Sequence, residues 1–268
     1  MARTTILTCN IRCFGAEDGD NGWEHRKDLC ADVIRAQAPD IVCFQEMWAE
    51  PFADLCRALP GYDTYAMADE PVGRRPQNAI FYRADRYARI SAGGYWLSEA
   101  PHVAGSSSWD SACVRLANWI RLEDRGTQAE FRVVNTHLDH VSQAAREHQA
   151  GLIAEDASAY PATYPQILTG DMNCDFRNSA IRALEAAGWT DTYAAVHGAG
   201  YPGHTYHEFQ GPRHKASIGK MDWIFMRGGI DAVGAAVLTD SRNGRYPSDH
   251  YFVSATVRVA RETGPRQS

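Results

Sequence analysis

Six short polar motifs, each beside an apolar run, hold the residues of this chain that could do chemistry. They are Asn10, Gln45-Glu46, Asn135-Thr136-His137, Gly170-Asp171-Met172-Asn173, Lys220-Met221-Asp222-Trp223 and Ser248-Asp249-His250. Mg²⁺ binds through one or two carboxylates together with water and phosphate oxygens of a substrate. Several carboxylates gathered with His and Asn therefore predict a hard-cation site that acts on a phosphate. Without a cation, such carboxylates would repel one another.

The simpler interpretation of each motif is a turn or a cap. Gly, Asp and Asn favour turns, so Asp171 and Asn173 could mark only a loop, and Glu46 could be a solvated capping acid. Asp222 differs because it lies inside an apolar run, where an unpaired carboxylate would be costly. We therefore expect Asp222 to have a partner, and we predict that His250 is that partner.

The elements that must position these motifs are short strands. Apolar runs predict strands at 4–10, 40–45, 78–83, 112–122, 131–136, 166–169, 221–226 and 251–259. Several runs are apolar on both alternating faces, which is typical of a sheet buried on both sides. Helical spacing of apolar residues predicts helices at 23–37 and 141–157. Polar capping residues at its start and Gly188 after its end predict a third helix at 178–187. Many strands and few helices indicate two sheets packed face to face with helices outside, and the polar motifs then stand at exposed strand ends.

Composition narrows the class of protein. The chain has 268 residues and a net charge of −6, with 44% hydrophobic and 22% charged residues. These values are near the average of globular proteins and exclude a disordered or fibrous chain. Duplex nucleic acid is disfavoured as a partner, because broad binding to it relies on Lys and Arg neutralising phosphates and Lys stands only at 27, 215 and 220. A local basic pocket for one phosphate remains compatible with this balance.

The seven cysteines predict free thiols rather than a disulfide framework. None forms a CxxC motif and several stand inside apolar runs, where Cys behaves as a small hydrophobe. The N-terminal residues predict a strand rather than a signal peptide, and no apolar run approaches the ~20 residues that span a bilayer. We expect a cytoplasmic protein without a transmembrane segment, with secretion through a removed leader as the alternative. The oligomeric state is left open.

The ordered motifs resemble those of the endonuclease/exonuclease/phosphatase superfamily, which has the DNase I-like fold. They run from residue 10 to residue 250, so the resemblance covers nearly the whole chain. It implies an α/β fold, a four-layer α/β sandwich in which two packed mixed β-sheets are flanked by helices. One domain is expected over 1–260, followed by a flexible tail at 261–268. Further stretches resemble a bacterial-type branch of largely uncharacterised hydrolases: Trp23-Glu24-His25-Arg26, Ile80-Phe81-Tyr82-Arg83, His137-Leu138-Asp139-His140 and Arg245-Tyr246-Pro247-Ser248.

The resemblance also implies which residues hold the metal. Glu46 is expected to be the principal ligand, with Asn10 and Asp249 near the same cation. The ion is expected to be Mg²⁺, with Mn²⁺ as an alternative. Whether one or two ions act is left open.

The remaining site residues receive catalytic roles from the same resemblance. Asp171 is expected to position or deprotonate the attacking water, and Asn173 to help hold it or a phosphate oxygen. His137 and His250, the latter paired with Asp222, are expected to hydrogen-bond the phosphoryl oxygens as negative charge builds on them. A positioned nucleophile, a cation and such donors are what phosphoryl transfer to water requires.

A second set of residues could bind the substrate. Arg12, Arg83, Arg115 and Arg245 could grip a phosphate through two hydrogen bonds, and the alternative for each is a structural ion pair. Arg115 is the strongest candidate because a charged side chain inside an apolar run requires a partner or a ligand. Trp109 could line a pocket, with ordinary aromatic packing as the alternative.

Two further groups are assigned no chemistry. His25-Arg26-Lys27 is interpreted as a solvated helix face. His140, His148, His197 and His214 are interpreted as ordinary histidines.

The superfamily spans nucleases, deadenylases, sphingomyelinases and several phosphatases, so the fold does not choose the substrate. The leading hypothesis is a Mg²⁺-dependent hydrolase of a small phosphomonoester or phosphodiester, such as a sugar phosphate or lipid head group, by metal-assisted in-line attack of water. The alternative is a metal-dependent nuclease for single-stranded or short nucleic acid. A third, more remote hypothesis is a non-catalytic binding protein with the same fold.

Overall fold

The computed structural model describes residues 3–68, 75–198 and 202–260. The predicted tail at 261–268 lies outside these ranges, and the single domain over 1–260 stays a prediction. Within the described residues the strands form two six-stranded sheets. The first sheet contains, from edge to edge, β11 (Ile230–Leu238), β12 (Phe252–Val259), β1 (Arg3–Asn10), β2 (Ile41–Gln45), β4 (Ile80–Arg83) and β3 (Tyr62–Tyr65).

The second sheet has the same number of strands and carries its own helices. Its order is β5 (Tyr87–Trp96), β6 (Leu116–Asp124), β7 (Glu130–His137), β8 (Gln166–Asp171), β10 (Asp222–Arg227) and β9 (Thr190–Asp191). The described α-helices are α1 (Trp23–Ala36), α2 (Ala49–Ala58), α3 (Gln143–Ser158), α4 (Ser179–Ala186) and α5 (Thr192–His197).

Alternating side chains on the central strands build three apolar layers. Ile6 on β1 and Val133 on β7 face the layer between the two sheets. The next residue of β1, Leu7, faces α1 and α2, whereas Val134 of β7 faces α3 and α4. Because both faces of each sheet are covered, the strands are apolar on both sides, as their sequences predicted. The predicted four-layer sandwich of two mixed sheets flanked by helices is confirmed.

Strand direction gathers the polar motifs at one edge. In the first sheet β1 and β2 are parallel, with Asn10 opposite Gln45, and in the second β7 and β8 are parallel, with His137 opposite Asp171. Strands β12 and β10 run antiparallel to β1 and β8, so their first residues reach the edge where those strands end. The carboxyl ends of four strands and the beginnings of two others therefore meet at one rim.

Several elements lacked a clear sequence signal. Strand β5 carries the Ser-Ala-Gly-Gly run at 91–94, β11 is rich in Ala and Gly, and β3 has only four residues, so none shows the apolar pattern of a strand. Helix α2 begins at Ala49, three residues after Glu46, and has no predicted counterpart. Residues 112–115 were predicted as strand but precede β6, which begins at Leu116.

All seven cysteines are free, as predicted. None of the helices in the described part of the chain combines the length and the apolar content that crossing a bilayer requires. The cytoplasmic location stays a prediction.

Candidate metal-binding active site

Asn10 joins two carboxylates that belong to different sheets. Its Nδ2 donates to Glu46 Oε1 and to Asp171 Oδ2, both at 3.0 Å, so these oxygens lie within two hydrogen-bond lengths of each other. Glu46 Oε2 accepts from the backbone N–H of Cys13 at 2.6 Å. Asn10 Oδ1 accepts from the backbone N–H of Arg12 at 3.0 Å, so Asn10 would have to turn its amide to become an oxygen ligand.

Three site residues have left-handed backbone conformations. The φ angles are +63° at Arg12, +59° at Glu46 and +51° at Asn173. Such angles are uncommon for residues other than Gly, cost of order 1 kcal/mol or more each, and occur where the surrounding structure enforces them. Glu46 adopts its conformation directly after β2 ends, and its carboxylate then lies beside Asn10.

The predicted pairing of Asp222 with His250 is confirmed. Asp222 Oδ2 lies 2.9 Å from His250 Nδ1, and both side chains are buried. Burial by itself lowers the pKa of His250, but the charges of Asp222, Asp171 and Asp249 outweigh it and raise that pKa well above its usual value. The opposite ring nitrogen, Nε2, lies 3.8 Å from Asp171 Oδ2. Asp222 therefore orients the ring and stabilises its protonated form.

His137 has the opposite electrostatic character. Its Nε2 lies 3.4 Å from Asp171 Oδ2, whereas its buried Nδ1 has no partner among the described residues. Burial, followed by the positive charge of Arg115, lowers the pKa of His137 well below the usual value. Two imidazoles thus approach the same Asp171 oxygen, one neutral and one that carries a proton on each nitrogen.

The carboxylates are crowded enough to favour a cation. Burial, and then the charge of Asp222, raises the pKa of Asp171. Burial also raises the pKa of Asp249, and of the charges around it Glu46 raises it further while His250 lowers it. Buried acids of like charge disfavour joint ionisation, so a bound cation would stabilise them.

Two overlapping sets of residues offer ligand atoms. Asp171, Asp222 and His250 each present an atom within 4.8 Å of the other two, so these three residues could hold a metal ion. The second set, Glu46, Asp171 and Asp249, supplies only oxygen atoms, although these do not all lie within 4.8 Å of one another. A hard ion such as Mg²⁺ prefers oxygen ligands, and His250 Nδ1 is already bound to Asp222 Oδ2. Asp222 Oδ1, which is buried without a hydrogen-bond partner in the described residues, is an unused oxygen nearby.

A cavity of about 780 Å³ opens above these residues. Glu46, Asp171, Asn173, Asp249, His137 and His250 line it, together with side chains from three further groups. One group is Trp48 with Arg75, whose guanidinium carbon lies 4.1 Å from the Trp48 ring centre. The others are Arg115 with His140, and a loop that contributes Tyr206, His214, Lys215 and Ile218.

Two of the five predicted substrate-binding residues line this cavity. Arg115 does so beside His140. Arg12 lines it as well, but its guanidinium binds Asp18 through two hydrogen bonds of 3.0 Å and lies 3.7 Å from Asp249. Arg12 is therefore largely committed to neighbouring acids.

The other three lie away from the cavity. Arg83 pairs with Asp85 at 2.6 Å at the opposite edge of the sheet, because β4 runs antiparallel to β2. Arg245 donates to a backbone carbonyl in α1 at 2.8 Å. Trp109 stacks on His148 with ring centres 4.6 Å apart. The alternative interpretations describe Arg83, which forms an ion pair, and Trp109, which packs on an aromatic ring, whereas Arg245 forms a backbone hydrogen bond and not the ion pair expected as its alternative.

The interpretation of Arg26 as part of a solvated face is wrong. The residue is 1% exposed, and its Nη1 donates to the backbone oxygens of Ile11 at 2.7 Å and Pro247 at 2.9 Å. Its guanidinium also lies 5.1 Å from the ring centre of Trp23. Arg26 thereby ties the segment after β1 to the segment that leads to Asp249. The signal was its spacing of three and four residues from the buried Trp23 and Cys30 on α1.

Other residues of the cavity carried little sequence signal. His140 and His214 were interpreted as ordinary histidines, yet both line the cavity. Trp48, Arg75 and Lys215 lie in segments without a recognisable motif. Their part in the cavity depends on chain paths that only the folded structure brings together.

Comparison with known proteins gives the family. The sequence pattern of the Endonuclease/Exonuclease/phosphatase family matches residues 7–250 of this chain. The chain belongs to the endonuclease/exonuclease/phosphatase family. Members of this family are metal-dependent phosphoesterases, and the buried Asp171, Asp222 and His250 group agrees with that chemistry.

Two solved structures from bacteria are similar to this family member over nearly the whole chain. An endonuclease/exonuclease/phosphatase from Bacteroides vulgatus superposes with a TM-score of 0.89 at 29% identity, covering 97% of this chain and 100% of that one. A mannosyl-6-phosphatase from Bacteroides thetaiotaomicron has a TM-score of 0.86 at 28% identity, with 95% and 99% coverage.

Among curated relatives, Nocturnin of Drosophila melanogaster is 29% identical over 168 residues, which is 57% of this chain and 24% of Nocturnin. Across the four curated relatives compared, the stretch that matches this chain covers between 24% and 60% of the relative's own length.

Proposed function

We propose that this protein is a Mg²⁺-dependent hydrolase of small phosphate esters, such as a sugar phosphate or a phosphorylated lipid head group, with Mn²⁺ as an alternative ion. The observation that carries the proposal is that Glu46, Asp171, Asp249 and His250 line one cavity, with Asp222 bound to His250. An oxygen-rich cation site beside two imidazoles is the equipment that phosphoryl transfer to water needs.

In this proposal Glu46 and Asp249 hold the cation, and Asn10 lies beside it. A bound Mg²⁺ would polarise the phosphoryl oxygens and offset their charge. The amide of Asn10 donates to Glu46 and Asp171, so it keeps both carboxylates facing the same space. The N–H of Cys13 fixes the second oxygen of Glu46.

Asp171 accepts the proton of the attacking water. Its Oδ2 is buried, 3.4 Å from His137 Nε2 and 3.8 Å from His250 Nε2, and the water attacks the phosphorus in line with the leaving oxygen. Asn173 follows on a tight turn, with its backbone N–H bound to Asp171 Oδ1 at 2.8 Å. Its Nδ2 donates to the backbone oxygen of Leu138 at 3.0 Å, and the residue lines the cavity, so its Oδ1 is left as an acceptor for that water.

The two imidazoles stabilise the negative charge that develops on the phosphoryl oxygens. His250 is held protonated by Asp222, so its Nε2–H can donate to a phosphoryl oxygen as charge accumulates there. His137 is neutral and donates from Nε2, because that nitrogen faces the carboxylate of Asp171. Neither ring needs to reorganise during the reaction.

The cavity supports a small substrate. A volume of about 780 Å³ is in the range of pockets that enclose sugar- or nucleotide-sized ligands. The mannosyl-6-phosphatase aligned over 95% of this chain also points to a phosphorylated sugar. The net charge of −6 disfavours an extended nucleic-acid surface.

A second candidate is a nuclease for single-stranded or short nucleic acid. The observation that favours it is Trp48 beside Arg75 on the cavity wall, since an aromatic ring with a cation is a surface on which a base can stack. Curated relatives include 3'-5'-exoribonuclease subunits of the CCR4-Not complex, 22% identical over 60% of this chain.

Hydrolysis of a generic phosphomonoester, a phosphodiester and a labelled oligonucleotide should be compared with Mg²⁺ and with EDTA. We expect Mg²⁺-dependent release of phosphate or alcohol from a small ester, lost in EDTA and reduced at least about 1,000-fold in Asp171→Asn. Asp231→Asn, an exposed Asp on β11, is the matched control and should retain activity. Activity that survives both EDTA and Asp171→Asn would refute the proposal, and cleavage of the oligonucleotide alone would favour the nuclease.

A further inference from the structure

Arg115 is a buried cation with few partners. It is 8% exposed, and its only side-chain hydrogen bond within the described residues joins Nη2 to His140 Nδ1 at 3.2 Å. The Nε atom is buried without a partner, and the nearest carboxylate oxygen, Asp139 Oδ2, is 4.0 Å from it. A guanidinium has five N–H donors, so most of those of Arg115 are unused.

Asp139 cannot take up these donors because other groups occupy its oxygens. Oδ1 accepts from the backbone N–H groups of Val141 at 2.9 Å and Ser142 at 2.7 Å. Oδ2 accepts from Ser111 Oγ at 3.0 Å and the backbone N–H of Ala112 at 2.8 Å. Four hydrogen bonds fill a fully buried carboxylate. Asp139 therefore shapes the loop and lends Arg115 only a distant charge, and the open direction for the guanidinium is the cavity that it lines.

The contact with Arg115 also fixes the tautomer of His140. A guanidinium only donates, so His140 Nδ1 must accept, and the ring proton then resides on Nε2. His140 lines the cavity as well, so its Nε2–H is a second donor beside the guanidinium. Three residues earlier in the chain, His137 borders the same cavity, close enough for Arg115 to lower its pKa after the larger effect of burial.

We propose that Arg115 and His140 together bind two non-bridging oxygens of a dianionic phosphoryl group, and that this pair makes the protein select phosphate monoesters over diesters. The inference rests on the proposed function, whose hydrolysis of a small ester does not distinguish the two. A monoester carries close to two negative charges near neutral pH, whereas a diester carries one. The second negative charge of a monoester would pair with the guanidinium of Arg115, which is buried and has no hydrogen-bonded acid among the described residues. In a diester, a second esterified oxygen lowers both the charge and the number of strong acceptors.

The test compares p-nitrophenyl phosphate with methyl p-nitrophenyl phosphate, which share a leaving group and differ in the second charge. In Arg115→Met we expect kcat/KM for the monoester to fall about 100-fold and kcat/KM for the diester to change less than about threefold, because charge-assisted hydrogen bonds to the dianion are lost. Arg115→Lys should recover part of the loss. Arg245→Met, an arginine outside the cavity, should leave the monoester-to-diester ratio unchanged.

Equal losses on both esters, or an unchanged ratio, would overturn the inference, as would a wild-type protein that prefers the diester. Because Arg115 is buried, urea unfolding of each variant should be measured. If Arg115→Met does not fold, His140→Ala replaces it. We expect the ratio of kcat/KM for the monoester to kcat/KM for the diester to fall about tenfold, and an unchanged ratio would overturn the inference. If the wild type hydrolyses neither ester, the proposed function fails. Calorimetric binding of inorganic phosphate then tests the role of Arg115 and His140 separately. Phosphate should bind the wild type more tightly than Arg115→Met or His140→Ala, and equal affinities would overturn that role.

Discussion

Gln45 Nε2 donates to Asn135 Oδ1 at 2.7 Å, and this hydrogen bond links the last residue of β2 in one sheet to β7 in the other. Both side chains are fully buried directly below the rim. Asn135 Nδ2 in turn donates to the backbone oxygen of Phe44 at 2.8 Å. The two sheets are therefore held in register beneath the candidate site by polar groups rather than by apolar packing alone.

Removal of either partner should destabilise the protein strongly. Gln45→Leu and Asn135→Leu each leave a buried polar group unsatisfied, so we expect each to lower the free energy of unfolding by roughly 2–4 kcal/mol. The double variant should lose less than the sum of the two, because the second substitution removes a group already without its partner. Urea unfolding of the four proteins measures this coupling, and strict additivity would contradict it.

Gly170 should not tolerate a side chain. A Cβ at this position would lie 2.3 Å from the backbone oxygen of Thr136 on the neighbouring parallel strand, and φ is +154°. We expect Gly170→Ala to lower the free energy of unfolding by roughly 2–4 kcal/mol. Gly151→Ala is the control, because that position in α3 has nothing within 4 Å, and it should stabilise by about 0.5–1 kcal/mol. Equal effects of the two substitutions in chemical denaturation would refute the argument.

The protonation of His250 should depend on Asp222. In Asp222→Asn the nearest counter-charge is gone, so the pKa of His250 should fall, and hydrolysis should drop about 10²- to 10⁴-fold. Titration of the ring by NMR measures the pKa, and steady-state kinetics measures the rate. A variant with an unshifted His250 pKa and full activity would show that the pair has no part in the reaction.

Arg26 should be required to hold the segment after β1 and the segment before Asp249 in place. Arg26→Met leaves the backbone oxygens of Ile11 and Pro247 without their buried donor, with an expected loss of roughly 3–4 kcal/mol of unfolding free energy. Lys27→Met, the next residue, removes a surface pair with Glu24 and a longer one, 3.8 Å, with Asp54, and should change stability by less than about 0.5 kcal/mol. Urea unfolding curves of both variants test this, and equal midpoints would count against the role of Arg26.

His207 should make stability fall at acid pH. It is fully buried, and burial, followed by the charge of His250, lowers its pKa to about 3. The unfolded chain therefore binds a proton at higher pH than the folded protein does, and stability is lost as the pH falls from about 6.5 toward 3. The contribution to the slope is at most about 1.4 kcal/mol per pH unit. His207→Phe should flatten the dependence of unfolding free energy on pH, and the exposed His102→Phe should not; an unchanged slope in His207→Phe would reject the assignment.

The sequence allowed the rim to be predicted because the central strands carry strong local signals. β1, β2, β7, β8, β10 and β12 are apolar on both faces and end or begin at polar motifs, so their strand ends could be expected to meet. The Asp222–His250 contact was predictable for an energetic reason, since an acid inside an apolar strand requires a partner.

Other features depended on information that is not local. Arg83 could not be excluded from the site until the antiparallel direction of β4 placed it at the far edge. Strand β5 pairs with β6 from Tyr87 to Trp96, with one register shift between Arg89 and Ser91. Its Gly and Ala residues give no strand pattern, and the strand forms because the neighbouring strand supplies the hydrogen bonds. Arg26 donates to the backbone of Ile11, 15 residues earlier in the chain, and of Pro247, 221 residues later, and the second of these contacts has no local signal.

By itself, the sequence determined the residue types of the site, their order along the chain and their positions at strand ends, because alternation and punctuation of apolar runs are local properties. The tertiary structure alone decided which arginines and histidines share the cavity. Arg115 meets His140 and Gln45 meets Asn135 across 25 and 90 residues of chain. Such distances are set by how two sheets pack and how their loops return, and no local pattern encodes them.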